Sequence, residues 1–335
     1  MSIVIAEMAM RKLIELLKRN GNDCLNVEFF GGEPLLNWPA IRHVLNTFDN
    51  KSDGIRILYS ITTNGALVTP EMAEMFHRYG VTVAVSIDIP TEIDSLPVIM
   101  AKIGERIRGP LSVLSEHVNY VTFNSLISKE TVRHMDGRKL MDFAREYKVR
   151  MVGLILDLDL AFYRSPENRE RAVEILLDTY RYGREIGIPV VGYWYQIFSQ
   201  IAGKQPINLR NGYKTCPAAG CKLSVEPDGS MFVCECTSRG IGSISDLEAV
   251  LASAAYTGYA MRAYRHAPEC TGCEIEGFCS GVCVGSLESS YRRNDLIEAG
   301  ACEIFRTVTR DLIADMADSE TYNLQLEHLS YGVCR

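Results

Sequence analysis

Basic tracts are missing from this chain: no run of Lys and Arg exceeds two residues, and the net charge is −7. Both facts argue against a phosphate-tracking surface, so no nucleic-acid partner is expected. Long apolar runs are missing as well. None reaches the roughly 18 residues that a membrane-spanning helix needs, so no membrane partner is expected either. A secretory leader is not evident. Residues 1–20, MSIVIAEMAMRKLIELLKRN, have no basic residue ahead of the apolar stretch, and Glu7 interrupts it. Ile5, Met8, Leu13, Leu16 and Leu17 instead recur at helical spacing, which predicts an amphipathic helix and a cytoplasmic protein. Cysteine is nearly absent from the first 200 residues, where Cys24 stands alone, yet ten cysteines lie between Cys216 and Cys334. A secreted disulfide scaffold is short and cysteine-rich throughout, so this distribution points to bound metal instead.

The remainder is ordinary for a globular protein, with 47% hydrophobic and 23% charged residues in 335. That length suits a domain of about 200 residues plus a smaller one. In the first half, β-branched runs predict strands over 26–30, 55–61, 81–87, 118–124 and 151–156. Helical patterns fall at 38–48, 70–79 and 138–147, with another at 168–186. Thr69 and Pro70 mark one helix start as N-cap and first residue. Such alternation implies βα units with parallel strands, either doubly wound or as a partial barrel. Function in both architectures gathers where strands end.

Three strand ends carry unusual residues. Gly31-Gly32-Glu33-Pro34 follows VEFF, where two glycines admit a ligand close to the backbone and a carboxylate can meet an ammonium group. Thr62-Thr63-Asn64-Gly65 follows ILYSI, and Ser86-Ile87-Asp88 ends VTVAV. Each alone is compatible with an ordinary turn or cap. Together, in order at successive strand ends, they are far more specific.

From Cys216 the pattern is Cys216-x4-Cys221-x7-Gly229-x4-Cys234, then Cys270-x2-Cys273-x5-Cys279-x3-Cys283, then Cys302 after 18 more residues. LSV and MFV flank Pro227-Asp228-Gly229 and predict a β-hairpin that brings Cys221 and Cys234 to one end, near Cys216. Eight thiolates make two four-thiolate sites, for zinc or for iron–sulfur clusters. Zinc sites usually pair two short Cys-x2-Cys knuckles and only one occurs here, so ligand chemistry favours clusters. The aromatic run Gly192-Tyr193-Trp194-Tyr195-Gln196 reads as a packed core strand. Cys236 and Cys334 are left over.

These residues resemble those of radical S-adenosylmethionine (SAM) enzymes with a SPASM extension, a group that includes anaerobic sulfatase-maturating enzymes and maturases of ribosomally made peptides. The resemblance rests on GGEP, TTNG and SID at the strand ends and on all eight spaced cysteines. It implies an α/β fold: a partial (β/α)6 TIM-like barrel lacking its first strand (1–190), a linker (191–215), a two-cluster domain (216–305) and a C-terminal helix and tail (306–335). It implies that Gly31, Gly32 and Glu33 hold the methionine amino group of SAM, with Thr63, Asn64, Ser86 and Asp88 also near the cofactor. One auxiliary [4Fe–4S] cluster is then expected on Cys216, Cys221, Cys234 and Cys283, and the other on Cys270, Cys273, Cys279 and Cys302. Sulfatase maturases carry a general-base Asp after the cysteine matching Cys234; Glu235 stands there in this chain, one methylene longer. The implied partners are a peptide or protein substrate and an electron donor such as a ferredoxin or flavodoxin.

The family's Cys-x3-Cys-x2-Cys motif, which holds the SAM-cleaving cluster, does not occur in these residues. Two expectations follow. Either the motif and a third [4Fe–4S] cluster belong to a longer gene product, in which a 5′-deoxyadenosyl radical abstracts hydrogen from a peptide side chain, or the chain is a degenerate iron–sulfur scaffold that binds a peptide or partner enzyme. Truncation is the favoured expectation, because opening a parallel barrel at its first strand exposes an apolar edge. Protein made anaerobically is expected to be brown, with iron and acid-labile sulfide by assay; a colourless, zinc-replete preparation would overturn the cluster reading.

Overall fold

A computed structural model describes residues 1–87, 96–203, 216, 218–261, 267–293 and 295–317, without side chains for 96–106. Six parallel strands form one sheet: β1 (Cys24–Phe29), β3 (Ile55–Thr63), β4 (Thr82–Ser86), β5 (Val121–Ile127), β6 (Met151–Leu156) and β7 (Val190–Val191). A short β2 (Lys51–Ser52) pairs antiparallel with β3. The spatial order of the parallel strands follows the chain without reversal. That settles the alternative left open by sequence periodicity: a doubly wound sheet reverses direction at a switch point, whereas this sheet winds one way, as a barrel does.

Strand chemistry explains the placement. In β3, Ile55, Ile57, Tyr59, Ile61 and Thr63 are buried, while the residues between them are half-buried or exposed. One face therefore carries the hydrophobic core and the other forms the concave side of the sheet. The helices covering the apolar face are α2 (Trp38–Phe48), α3 (Pro70–Arg78), α4 (Leu96–His117), α5 (Gly137–Glu146), α6 (Leu160–Arg164), α7 (Pro166–Ile186) and α8 (Tyr193–Ile201). Thr69 caps α3 as expected, accepting from the Met72 amide at 3.3 Å. Ser165 and Pro166 start α7 in the same manner, and left-handed Gly187 (φ 76°) ends it.

Four differences from the sequence reading have physical causes. The aromatic run at 192–196 is the start of helix α8 rather than a strand, although its burial holds: Trp194 and Tyr195 lie in the core, and the Trp194 indole donates to the Leu154 carbonyl at 3.1 Å. That helix, Tyr193–Ile201, lies within the stretch 191–215. The 22-residue α4 carries Pro110 inside it and has no clear amphipathic start, so it escaped notice. β5 begins three residues later than expected, because α4 continues to His117. Finally, Cys24, buried at the start of β1, is disulfide-bonded, whereas the nine cysteines from Cys216 to Cys302 are thiols.

The second unit has its own smaller core. β8 (Ser224–Val225) and β9 (Ser230–Phe232) form the expected hairpin, and β10 (Gly242–Ser243) adds a third antiparallel strand. α9 (Leu247–Ala252), α10 (Ala254–Ala260) and α11 (Val284–Tyr291) follow. α12 (Ala299–Ala317) returns to the larger core, where it buries Ile304, Phe305, Val308 and Leu312.

Helix α1 (Ile3–Arg19) joins the two units. Ala6, Met10 and Ile14 belong to the larger core, while Ala9 is buried in the smaller one with Met8, Leu13 and Leu16 packed against it. Lys12 donates to the Ser245 carbonyl at 2.9 Å, and Arg19 pairs with Glu248. Ile14 is 2% exposed. Ile14→Ala should therefore lower unfolding stability by about 2–5 kcal/mol, whereas Lys18→Ala on the exposed side should change it by less than about 0.5 kcal/mol, as read from urea denaturation.

Candidate functional site

The strand ends singled out by sequence converge. β1 and β3 are neighbours, and Glu33 fastens their C-terminal loops. Its Oε1 accepts from the Leu35 amide at 3.1 Å and from Thr63 Oγ1 at 2.7 Å, and its Oε2 accepts from the Asn64 amide at 2.9 Å. A carboxylate offers about four acceptor positions, and three of them are taken by the chain. Gly31 takes φ 146°, a conformation side chains rarely adopt, and a Cβ on Gly31 or Gly32 would meet nothing within 4 Å. The backbone there is open to a ligand. Gly65 (φ 78°) lets the Asn64 side chain turn back onto the Ala66 amide at 2.9 Å.

Ser86 is exposed at the end of β4, and its register partner on β5 is Asn124. Asp88 lies outside the described residues. Asn124 pairs in turn with Gly153 on β6, where a Cβ would come within 2.3 Å of Asn124 Oδ1. Gly153 is thus the notch that seats the Asn124 amide on the concave face. Sequence reasoning missed both; the available signal was a polar residue inside the buried run VTFNSLI.

The cysteines form two groups. Cys279 and Cys302 both feel Cys270 and Cys273, and Cys279 feels Cys302. Burial pushes the Cys279 thiol up to about 12, with the neighbouring sulfurs adding to the rise. All four are half-buried, and the all-sulfur donor set fits an iron–sulfur cluster. In the other group, Cys234 and Cys216 pack against the smaller core, and the Cys216 amide donates to Ser280 Oγ at 2.9 Å, beside Cys279 and Cys283. Cys283 caps α11, and its thiol falls to about 6 through its hydrogen bond with Cys236, against burial, with the Gly285 and Ser286 amides helping. Cys221 is exposed and lies near Tyr256.

A charged bridge connects the thiol unit to the barrel. Lys222 Nζ lies 3.0 Å from Glu28 Oε2 and 2.7 Å from Glu235 Oε2. Glu28 stands on the concave face of β1, where its Oε1 accepts from Thr62 Oγ1 at 3.4 Å. Burial opposes the charge on Lys222, but the two carboxylates outweigh it and raise its pKa. Burial likewise pushes Glu235 up, and the Lys222 ammonium overrides this and holds the carboxyl below its usual range. The Cys234 thiol donates to Glu235 Oε2 at 3.1 Å. Neither Glu28 nor Lys222 was foreseen from sequence. The hairpin register, continued two residues, brings Lys222 opposite Cys234 and was the signal available.

A one-way parallel sheet, glycine-rich strand ends and a group of thiols stand together in this chain. Residues 3–113 match the radical SAM superfamily. The chain is 37% identical over 302 residues to the radical SAM cyclopropyl synthase TigE of Paramaledivibacter caminithermalis, which covers 90% of this chain. The chain spans 63% of the length of that relative. It is 24% identical to a cysteine-type anaerobic sulfatase-maturating enzyme of Clostridium novyi, over 90% of this chain and 84% of the relative. Among solved structures, native anSMEcpe with bound AdoMet superposes with a TM-score of 0.71 at 18% identity, covering 93% of this chain and 89% of that one. SuiB of Streptococcus suis bound to precursor peptide SuiA gives 0.57 at 17% identity, covering 89% and 69%. These likenesses support the barrel fold. The match over residues 3–113 points to SAM and iron–sulfur chemistry as the cofactor class.

Glu33→Ala should release the Leu35 and Asn64 amides and the Thr63 hydroxyl. Hydrogen bonds to a charged group contribute about 1.5–3 kcal/mol, so amide exchange at Leu35 and Asn64 should accelerate by about tenfold or more, measured by hydrogen–deuterium exchange, with exchange in β6 unchanged.

Proposed function

We propose that this chain supplies the SAM-recognition face, two four-thiolate cluster sites and a general base to a radical SAM enzyme that modifies a peptide or protein side chain. The observation that carries the reading is the Glu28–Lys222–Glu235 bridge, which turns an ionised carboxylate of the thiol unit toward the concave face of the barrel. With a SAM-cleaving cluster and an electron donor such as a ferredoxin or flavodoxin, one-electron reduction of SAM would supply the hydrogen-abstracting chemistry. The Cys-x3-Cys-x2-Cys motif for that cluster is not spelled by these residues.

Each residue has a defined task. Gly31, Gly32 and the free acceptor position of Glu33 receive the SAM ammonium group. Thr63 and Asn64 hold Glu33 in place, and Ser86 offers a hydroxyl to the ribose or carboxylate, with Asp88 as its companion. Cys270, Cys273, Cys279 and Cys302 hold one auxiliary cluster, and Cys216, Cys234 and Cys283 contribute to the other, with Cys221 as the fourth ligand implied by the family resemblance. Glu235, kept anionic by Lys222, accepts a proton from the oxidised side chain. The substrate class follows from the relatives: one solved neighbour, SuiB, holds a precursor peptide. A ferredoxin or flavodoxin is the proposed electron source.

A second reading is a cluster-bearing scaffold that presents a peptide to a partner enzyme. The two separate in one assay. In enzyme carrying the SAM-cleaving motif, Glu235→Gln should lower peptide modification by about a hundredfold or more, as expected for loss of a general base, while 5′-deoxyadenosine formation persists. Equal modification by Glu235→Gln would remove the base assignment, and no 5′-deoxyadenosine under any condition would favour the scaffold.

A further inference from the structure

The concave face changes character as the sheet winds from β4 to β6. Its first strands carry polar groups: Glu28 on β1, Thr62 on β3 and the exposed Ser86 on β4. On β6 the same face turns apolar. Ile155 is 42% exposed while its neighbours Leu154 and Leu156 are buried in the core, so strand alternation turns Ile155 to the concave side. Its register partner on β5, the half-buried Leu126, faces the same way. Val191 on β7, half-buried and paired with Gly153, continues this apolar wall.

Asn124 stands at the boundary. It pairs with Ser86 on one side and with Gly153 on the other. Its main-chain carbonyl accepts from the Ile87 amide at 2.8 Å, but its side-chain amide makes no hydrogen bond among the described residues, although the residue is half-buried. Gly153 gives that amide its place. A Cβ there would fall 2.3 Å from Asn124 Oδ1, so any larger residue would push the amide off the sheet. A polar group shielded from water is costly unless a partner arrives. One acceptor and two donors on an uncharged group match the N–H and C=O of a peptide unit.

We infer that Asn124 binds a main-chain peptide unit of the substrate, and that Leu126 and Ile155 receive an aliphatic side chain of the same segment. The inference rests on the proposed peptide-modifying function and deepens it by naming the class of side chain. Neighbouring strands lie about 4.8 Å apart, so the segment is held one strand from Ser86, the hydroxyl proposed for SAM. A charged side chain would leave water for Leu126 and Ile155 with nothing to pair it, which selects against it. A few placed polar groups beside an apolar wall are the usual make-up of a ligand subsite.

The test uses three probes: N-acetyl-leucine N′-methylamide, its aspartate counterpart, and N-acetyl-leucine methyl ester, which lacks the second N–H. Binding to the anaerobically reconstituted full chain is titrated by saturation-transfer NMR with SAM present. The leucine diamide should bind saturably, and the ester and the aspartate diamide each about tenfold more weakly. Asn124→Ala should weaken the leucine diamide about tenfold and erase its advantage over the ester. Gly153→Ala should do the same by displacing an amide that is still present. Ile155→Asp should erase the preference for leucine over aspartate. SAM affinity, measured by equilibrium dialysis, should stay unchanged in all three variants. Equal binding by wild type and Asn124→Ala overturns the inference, as does equal binding of leucine and aspartate diamides or no saturable binding by the wild type. Lowered SAM affinity with unchanged probe binding in Asn124→Ala also overturns it, giving Asn124 to the cofactor. If that variant loses SAM and probe together, the wild type decides, because an ester that binds as well as the diamide overturns the inference. None of these readings needs SAM cleavage, so failure to form 5′-deoxyadenosine would defeat the proposed function and leave this assignment to the binding data.

Discussion

A single ammonium group couples the thiol unit to the barrel. Lys222 reaches from the thiol unit to a barrel carboxylate on one side and to its own neighbour Glu235 on the other. Desolvating a lysine is costly unless opposite charge accompanies it. Here two carboxylates share one cation, and the Lys222 ammonium holds the Glu235 carboxyl below its usual range. Remove the lysine, and Glu28 and Glu235 repel each other across the gap that the hairpin and β1 must close. The orientation of the thiol unit over the concave face depends on this contact together with α1, because the hairpin itself is only a few residues long.

The barrel was legible because its physics is periodic. Alternating burial in β3 and capped helices such as α3 leave direct marks in residue order. What escaped notice had no such mark. α4 contains a proline and lacks a clean polar face, and α8 begins with three aromatic residues whose β-propensity argues for a strand. Tertiary packing decided the matter: Trp194 found an acceptor on β6 that a helix start can reach. Strand order could not be read from periodicity at all, since doubly wound and singly wound sheets share the same alternation.

The site was legible in its residue types and less so in its connections. Gly31, Gly32, Glu33, Thr63 and Asn64 were visible as unusual strand ends, but the hydrogen bonds that make Glu33 a fastener between two loops depend on β1 and β3 being adjacent. Spacing singled out eight cysteines, but no spacing rule weighs the close approach of Gly285 to Cys236, 49 positions away. Lys222 was invisible for a similar reason. A lysine beside a cysteine is unremarkable until the hairpin register sets it across from Cys234.

The double role of α1 bears on how such proteins can be rearranged. Modules that exchange freely meet through few contacts and carry complete cores of their own. Here one helix gives Ala6, Met10 and Ile14 to one core and Ala9 to the other. The thiol unit is therefore not a cassette. Grafting it onto another barrel would require a host helix whose outer face already matches Met8, Leu13 and Leu16, and whose basic residues meet Ser245 and Glu248. Divergence among chains built this way is confined to substitution within a shared frame, with new substrates reached by changing the rim of the barrel rather than by trading the unit that covers it.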